Sequence, residues 1–372
     1  MAKKKTNKVT DFLKNMSKRE KLLAIATVVL LAVCVGLASE LYFNSPIDSL
    51  IVPPPEDNRN TLIETGDGLV ALEDALNIYF IDVGQGESIY IELPDGKNML
   101  IDAGSGSIES SQNTAEYLLF FEEHSITTIN YLMLTHNHAD HCNMLDNVIE
   151  ALVIETFYYN DYPFEVASQT YKAFYNAAIA EQGAEYILFD EDGDIYYIES
   201  EQDAQHQYKI IIFAPGYNNP ALPNDPNAHS PICILEYGGR RLIFGGDAIS
   251  ESEQLFISWL ANEYPDGFDI DVLKVSHHGS KGSTDTQLLD YLTPEYAVIS
   301  CGEQNSYDHP SAMLMNRLYN YGIVTYRTNR HGTILLSIDI DGDMQFSSQF
   351  YAQPENNRFD IDTLYANQPG TA

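Results

Sequence analysis

The chain has 372 residues, 44% of them hydrophobic, with 54 acidic side chains against 20 basic ones and a formal net charge of −34 at pH 7. That length is ample for burying a core, and that hydrophobic content excludes a disordered chain. The acidity excludes tight non-specific binding to duplex nucleic acid, which needs clustered Lys and Arg, and it repels polyanions over a Debye length of roughly 10 Å.

The charge is unevenly distributed. Residues 1–21 hold eight of the basic side chains and only two acidic ones, Asp11 and Glu20, which leaves 12 basic and 52 acidic side chains for the rest. The 18 residues Leu22–Ser39 carry no charge. As a helix at 1.5 Å rise they span ~27 Å, close to the hydrocarbon thickness of a bilayer. The Lys-rich flank before them puts the N-terminus in the cytoplasm and the chain after Glu40 outside. The expected organisation is a basic cytoplasmic segment (1–21), a transmembrane signal anchor (22–43), a linker (44–74) containing Pro53-Pro54-Pro55, one hydrolase domain (75–352) and a C-terminal tail (353–372). A cleaved signal peptide competes with the anchor, but Leu37-Ala38-Ser39 is a poor small-x-small cleavage site. The cysteines Cys34, Cys142, Cys233 and Cys301 have no paired spacing, so they read as small buried residues and not as a disulfide framework or a thiolate zinc site.

From Ala75 onward strands and helices alternate. LNIYFIDV and ESIYIELP are strands joined through the tight turn Gly84-Gln85-Gly86, and NMLIDAG is a third. Residues 112–124 read as a helix. INYLMLT is a strand that runs into Thr135-His136-Asn137-His138-Ala139-Asp140-His141. Later strands are YKIIIFAP, PICILEYGG, RRLIFGGDA and DVLKVSHHG, with helices over SESEQLFISWLANE and TDTQLLDYL. AVISC, a helix over SAMLMNRLYNYG and the strand GTILLSIDI complete the domain. Strand-rich halves that each carry helices predict two sheets packed face to face with helices outside.

The histidine cluster carries the chemistry. Three imidazoles and a carboxylate within six residues make a poor strand or helix without a ligand to share, and they suit zinc, manganese or iron. On a tight loop His136 and His138 can point one way, with Asp140 and His141 at a neighbouring position, so one loop can seed two metals. His229, Asp247 and the pair His277-His278 border later strands and supply what the loop lacks, all of them read as lying at strand C-terminal ends. Asp82 and the Gly84-Gln85-Gly86 turn read as structural, since the third glycine and helix of a dinucleotide fingerprint are missing.

At these residues the chain resembles a known family. Ile81-Asp82-Val83-Gly84-Gln85-Gly86-Glu87-Ser88, Leu100-Ile101-Asp102-Ala103-Gly104, the histidine cluster, Phe244-Gly245-Gly246-Asp247-Ala248 and Leu273-Lys274-Val275-Ser276-His277-His278-Gly279-Ser280 are similar to the extracellular metallo-β-lactamase domain of ComEC-type competence proteins. Asn305, His309 and Pro310, then Tyr326-Arg327-Thr328, resemble its closing motifs, and the likeness covers about residues 75–350. The resemblance implies an α/β fold, the αββα four-layer sandwich. It implies one metal held by His136, His138 and His229. The other is held by Asp140, His141 and one of His277 and His278, with the weight on His278, and Asp247 bridges the two. Asp102 orients the ligand loop. Two features depart from the family: many of its domains have a carboxylate in place of His138 and no histidine in place of His229. Both bring the chain nearer to the binuclear hydrolases.

The expected function is that of a membrane-anchored extracellular hydrolase with two divalent ions, zinc first and manganese or iron as alternatives. It would cleave a phosphodiester with a metal-bridging hydroxide. Asp140, His309 and Asn305 are the catalytic candidates, the last two for protonating the leaving group or binding an oxyanion. The expected substrates are single-stranded nucleic acid or a cell-surface polymer, which two cations in the cleft would attract to an acidic surface. Ester, lactone or thiolester hydrolysis is the alternative on the same site. A non-catalytic binding module using the chain's 25 tyrosines, with Phe157-Tyr158-Tyr159 and Tyr162 stacking on sugars, is the alternative of a different class.

Overall fold

The computed structural model describes residues 69–106, 110–160, 168–200 and 207–350. The expected anchor, most of the linker, Tyr162 and the tail lie outside these residues. Among the described residues no helix is long and apolar enough to cross a membrane.

The strands are β1 (Leu76–Phe80), β2 (Ile89–Glu92), β3 (Asn98–Ile101), β4 (Thr128–Met133), β5 (Val153–Asn160), β6 (Glu185–Phe189), β7 (Asp194–Glu199) and β8 (Lys209–Ala214). They continue as β9 (Ile232–Tyr237), β10 (Arg240–Phe244), β11 (Val272–Lys274), β12 (Tyr296–Ile299), β13 (Val324–Arg327), β14 (Ile334–Ile338) and β15 (Met344–Ser348). They form an eight-stranded sheet in the order β15-β14-β1-β2-β3-β4-β5-β6 and a seven-stranded sheet in the order β13-β12-β11-β10-β9-β8-β7. β3 to β6 are parallel to one another, as are β10 to β13, and the other pairings are antiparallel.

Side chains of a strand alternate between its two faces, and here both faces are covered, so the strands read as nearly continuous apolar runs. In β1, Leu76, Ile78 and Phe80 enter the layer between the sheets, while Tyr79 joins the outer layer of the first sheet. In β10, Leu242 and Phe244 point inward and Ile243 outward. The helices α1 (Ser110–Glu123), α2 (Ala139–Cys142), α3 (Leu145–Ala151) and α4 (Gln169–Ala180) belong to the first sheet. Of these, α1, α3 and α4 cover its outer face through Phe121, Val148 and Phe174. α5 (Ser250–Glu263), α6 (Thr286–Leu292) and α7 (Ala312–Asn320) cover the second through Phe256, Leu289 and Leu314. Their starts follow the local sequence: Ser168, Asp285 and Ser311 each cap a helix by accepting a backbone N–H from its first turn. The result is four layers, helix–sheet–sheet–helix. Cys142, Cys233 and Cys301 are free and buried.

One expectation fails here. Phe157, Tyr158 and Tyr159, read as an exposed stacking run, lie in β5 with exposures of 0%, 8% and 3%. β5 is flanked by β4 and β6, with helices over one face and the second sheet over the other, so alternation buries all three rings.

Candidate metal centre

The turns that follow β3, β4, β10, β11 and β12 meet at one edge of the sandwich. Asp102 follows β3, His136 to His141 follow β4, Asp247 follows β10, and His277 and His278 follow β11. His229 departs from the expected placement, because it precedes β9 and does not end a strand. It still reaches this edge, since β9 is antiparallel to β10 and Cys233 near its start pairs with Phe244 at the end of β10. Close approach of the loops demands glycine. A Cβ on Gly104 would collide with the backbone of Asp140 and His141, so the Asp102 turn can press against the histidine loop only without one.

At the centre, His141 Nε2 faces His278 Nε2 at 3.1 Å. Both nitrogens approach Asp247 Oδ1, at 3.2 and 3.4 Å, and His278 Nε2 is 3.5 Å from Asp140 Oδ2. His136 Nε2 faces His138 Nδ1 at 2.9 Å and lies 3.9 Å from Asp247 Oδ2. Among the described residues, three sets of donor atoms each lie within 4.8 Å of one another: His136, His141 and Asp247; Asp140, His141 and His278; and Glu87, Asp247 and His278. Of the histidine pair, His278 is the buried member of the cluster. His277 is turned aside, with Nε2 3.6 Å from Asp247 Oδ2 and 3.3 Å from Asn227 Nδ2.

The hydrogen bonds assign the tautomers. His141 Nδ1 lies 2.7 Å from Asp102 Oδ2, and His278 Nδ1 lies 3.0 Å from the carbonyl oxygen of Ser300. Both partners only accept, so both Nδ1 atoms carry hydrogen, and each ring in its neutral form turns an Nε2 lone pair to the centre. The two Nε2 atoms, 3.1 Å apart beside the Asp247 carboxylate, are placed to share a cation. His229 repeats the pattern: Nδ1 donates to the carbonyl of Gly216 at 3.0 Å, and Nε2 is buried without a hydrogen-bond partner. It belongs to none of the three sets of clustered atoms. The donors therefore fit divalent metal, with imidazole nitrogen and carboxylate oxygen together.

Electrostatics agree with a site built for positive charge. Burial disfavours ionised Asp247, but the imidazoles of His278 and His141 hold it well below the usual carboxylate range. Burial likewise disfavours charged His141, yet Asp247 and Asp102 push it well above its ordinary value, and Asp247 raises His278. His136, buried and beside His141, is driven well below its ordinary value.

Around the donors sits a supporting shell. Asp102 is fully buried and accepts from Thr135 N at 2.8 Å and Thr135 Oγ1 at 2.7 Å as well as from His141. It orients the imidazole and the loop together. Replacing it with Asn is expected to weaken metal binding about 10- to 100-fold, read by competition against a chelator. On the other flank, both carboxylate oxygens of Glu253 in α5 accept from Thr284 N at 2.8 Å, anchoring the loop after His278. Burial raises Glu253 from its ordinary 4.5 to about 7. A raised carboxyl group stabilises the fold fully below its unfolded pKa, and that contribution is lost as pH climbs through the folded one. The loss is about 3 kcal/mol. Glu253→Gln should therefore flatten the decline in urea midpoint between pH 4.5 and about 7, and a slope equal to that of the original chain would refute this.

The remaining candidates separate. Asn305 does not face the centre. Its Nδ2 donates to the carbonyls of Gly302 and His309, and its Oδ1 accepts from the backbone N–H groups of Tyr307 and His309. With both ends of the amide committed, it shapes the loop and has nothing left for an oxyanion. His309 does reach the centre, its ring 5.6 Å from that of His277 and 6.5 Å from that of His278. Burial and those two imidazoles lower it to about 4, so it is neutral near pH 7. Asp82 serves the turn, accepting from Gly84 N at 3.0 Å. Sequence reasoning missed Glu87 and Lys274, a fully buried ion pair at 2.6 Å beside the centre. The signal was a charged residue set against an apolar stretch, Glu87 just before Ile89-Tyr90-Ile91 and Lys274 between Val272-Leu273 and Val275.

Residues 81–303 match the family model of the metallo-beta-lactamase superfamily. The chain is also 30% identical over 273 residues to ComE operon protein 3 of Bacillus subtilis, covering 68% of this chain and 32% of that protein. It is 28% identical over 255 residues to Recombination protein 2 of Haemophilus influenzae, covering 68% and 28%. It is 32% identical over 118 residues to Competence protein ComA of Neisseria gonorrhoeae, covering 32% and 16%. The likeness is to ComEC-type competence proteins, and the chain spans about a third or less of the length of these relatives.

Proposed function

The chain belongs to the metallo-beta-lactamase superfamily, and from that premise we propose that it is a metal-dependent phosphodiesterase anchored in the membrane with its catalytic domain outside. The observation that carries the reading is the pair of buried Nε2 atoms of His141 and His278 converging on Asp247. His136, His138 and His229 would hold one ion, and Asp140, His141 and His278 the other, with Asp247 between them. Zinc suits this donor set first, with manganese and iron as alternatives. Two bound ions supply Lewis acidity, a lowered pKa for water and positive charge against the phosphate.

The protein's own groups do the rest. Asp102 fixes the His141 ring, and Ser300 fixes the His278 ring through its carbonyl. His309, neutral and at the rim, hydrogen-bonds the phosphate or the departing oxygen. Single-stranded nucleic acid is one phosphodiester that such a centre would take. A phosphodiester in a cell-surface polymer fits the same centre. The experiment is turnover of bis-(p-nitrophenyl) phosphate, single-stranded oligonucleotides, and ester, lactone and thiolester substrates, with and without chelator. Chelator-sensitive cleavage of phosphodiesters alone is the expected result. Cleavage confined to esters would move the reading to the carboxylic branch, and none at all would leave a binding module. The anchor over Leu22–Ser39 is tested by adding protease to intact cells, where protection of the domain would refute the topology.

A further inference from the structure

We propose that Glu87 is an additional ligand of the metal centre, set in place by Lys274, an inference that rests on the metal-dependent reading above. Glu87 follows the Gly84-Gln85-Gly86 turn of the first sheet, and Lys274 ends β11 of the second. Alternation along β11 sends Leu273 to the outer layer and Val272 into the layer between the sheets. Lys274 shares the inward face with Val272. There its ammonium donates to Glu87 Oε2 at 2.6 Å and to the carbonyl of Val275 at 3.0 Å, with both side chains fully buried.

Stability does not account for this pair. Burying two charges costs several kcal/mol per ion, and an apolar pair of similar volume commonly serves as well or better. The placement of the carboxylate accounts for it. A carboxylate oxygen of Glu87 lies within 4.8 Å of a carboxylate oxygen of Asp247 and a ring nitrogen of His278, so Glu87 forms a third cluster of donors at the centre. While Oε2 is engaged by Lys274, Oε1 is buried and has no hydrogen-bond partner. An orphaned carboxylate oxygen inside a protein is costly unless a cation meets it. The backbone of Glu87 is tied to the same place: its N–H donates to the carbonyl of Asp140 at 3.0 Å, and its carbonyl accepts from Gly104 N at 3.1 Å. The residue is thereby coupled to both the ligand loop and the Asp102 turn. Glu87 adds a carboxylate on the side of His278, Asp247 and Asp140, and leaves the His136–His138 side as it is.

The test is binding of Zn2+ alone to the metal-free full chain, measured by calorimetric titration against a competing chelator. It compares the original chain with Glu87→Gln and with the double variant Glu87→Gln, Lys274→Met, which leaves no unpaired charge and keeps the test valid if the single variant folds poorly. Near-ultraviolet circular dichroism checks the fold of each. Both variants should bind one of two ions roughly tenfold or more weakly and the other unchanged. Two ions bound with undiminished affinity in the folded double variant would reduce Glu87 and Lys274 to an interior ion pair and overturn the inference while sparing the metal centre. An original chain that takes up no ion would overturn the metal-dependent reading and this inference together.

Discussion

Asp247→Ala should leave a folded chain whose phosphodiester turnover has dropped about a thousandfold and whose metal content has fallen by more than half. Among the described residues, Asp247 is the one carboxylate within 4 Å of His136, His141 and His278 together, at 3.9, 3.2 and 3.4 Å. Its loss would remove a carboxylate from beside all three imidazoles at once. Metal-derived stabilisation of transition-state charge amounts to several kcal/mol, and about 4 kcal/mol corresponds to the thousandfold fall. The fold should survive, because Asp247 sits in a turn after β10 and the cores lie in the layers around it. Elemental analysis and turnover on one preparation read both effects. Full metal occupancy together with full activity would show that the centre has been wrongly assigned.

Lys274→Met alone should destabilise the metal-free chain by about 3–5 kcal/mol, because it strands the Glu87 carboxylate in the interior. Among the described residues, Lys274 Nζ makes the only hydrogen bond to that carboxylate, at 2.6 Å. Adding Glu87→Gln should recover most of the loss, since no buried charge is then left over. The measurement is the urea midpoint of the single and double variants without metal, so the outcome does not depend on whether the centre is catalytic. A single variant as stable as the original chain would mean that water or a neighbouring group reaches Glu87.

Much of the fold could be read from the chain. Nearly continuous apolar runs such as LNIYFIDV, YKIIIFAP and RRLIFGGDA announced strands because both faces of each sheet are covered, and that requirement is local to the strand. His136, His138, Asp140 and His141 were legible for a similar reason: donors within six residues of one another need only a tight loop to meet.

What spans the two sheets was decided by the tertiary structure alone. Choosing His278 over His277 depends on the backbone after β11, where both residues have positive φ, 53° and 50°, and only the second ring turns inward to reach His141. Asn305 reads as a polar group free to bind substrate until the loop around it shows both ends of its amide engaged. Phe157 to Tyr159 look like a surface aromatic run until β6 and the helices enclose β5. The contact between Glu87 and Lys274 joins residues 187 positions apart. Local sequence sets the period and the chemistry of each segment, but a contact between sheets depends on register and pleat, and a shift of one residue would turn Lys274 away from Glu87 to the opposite face.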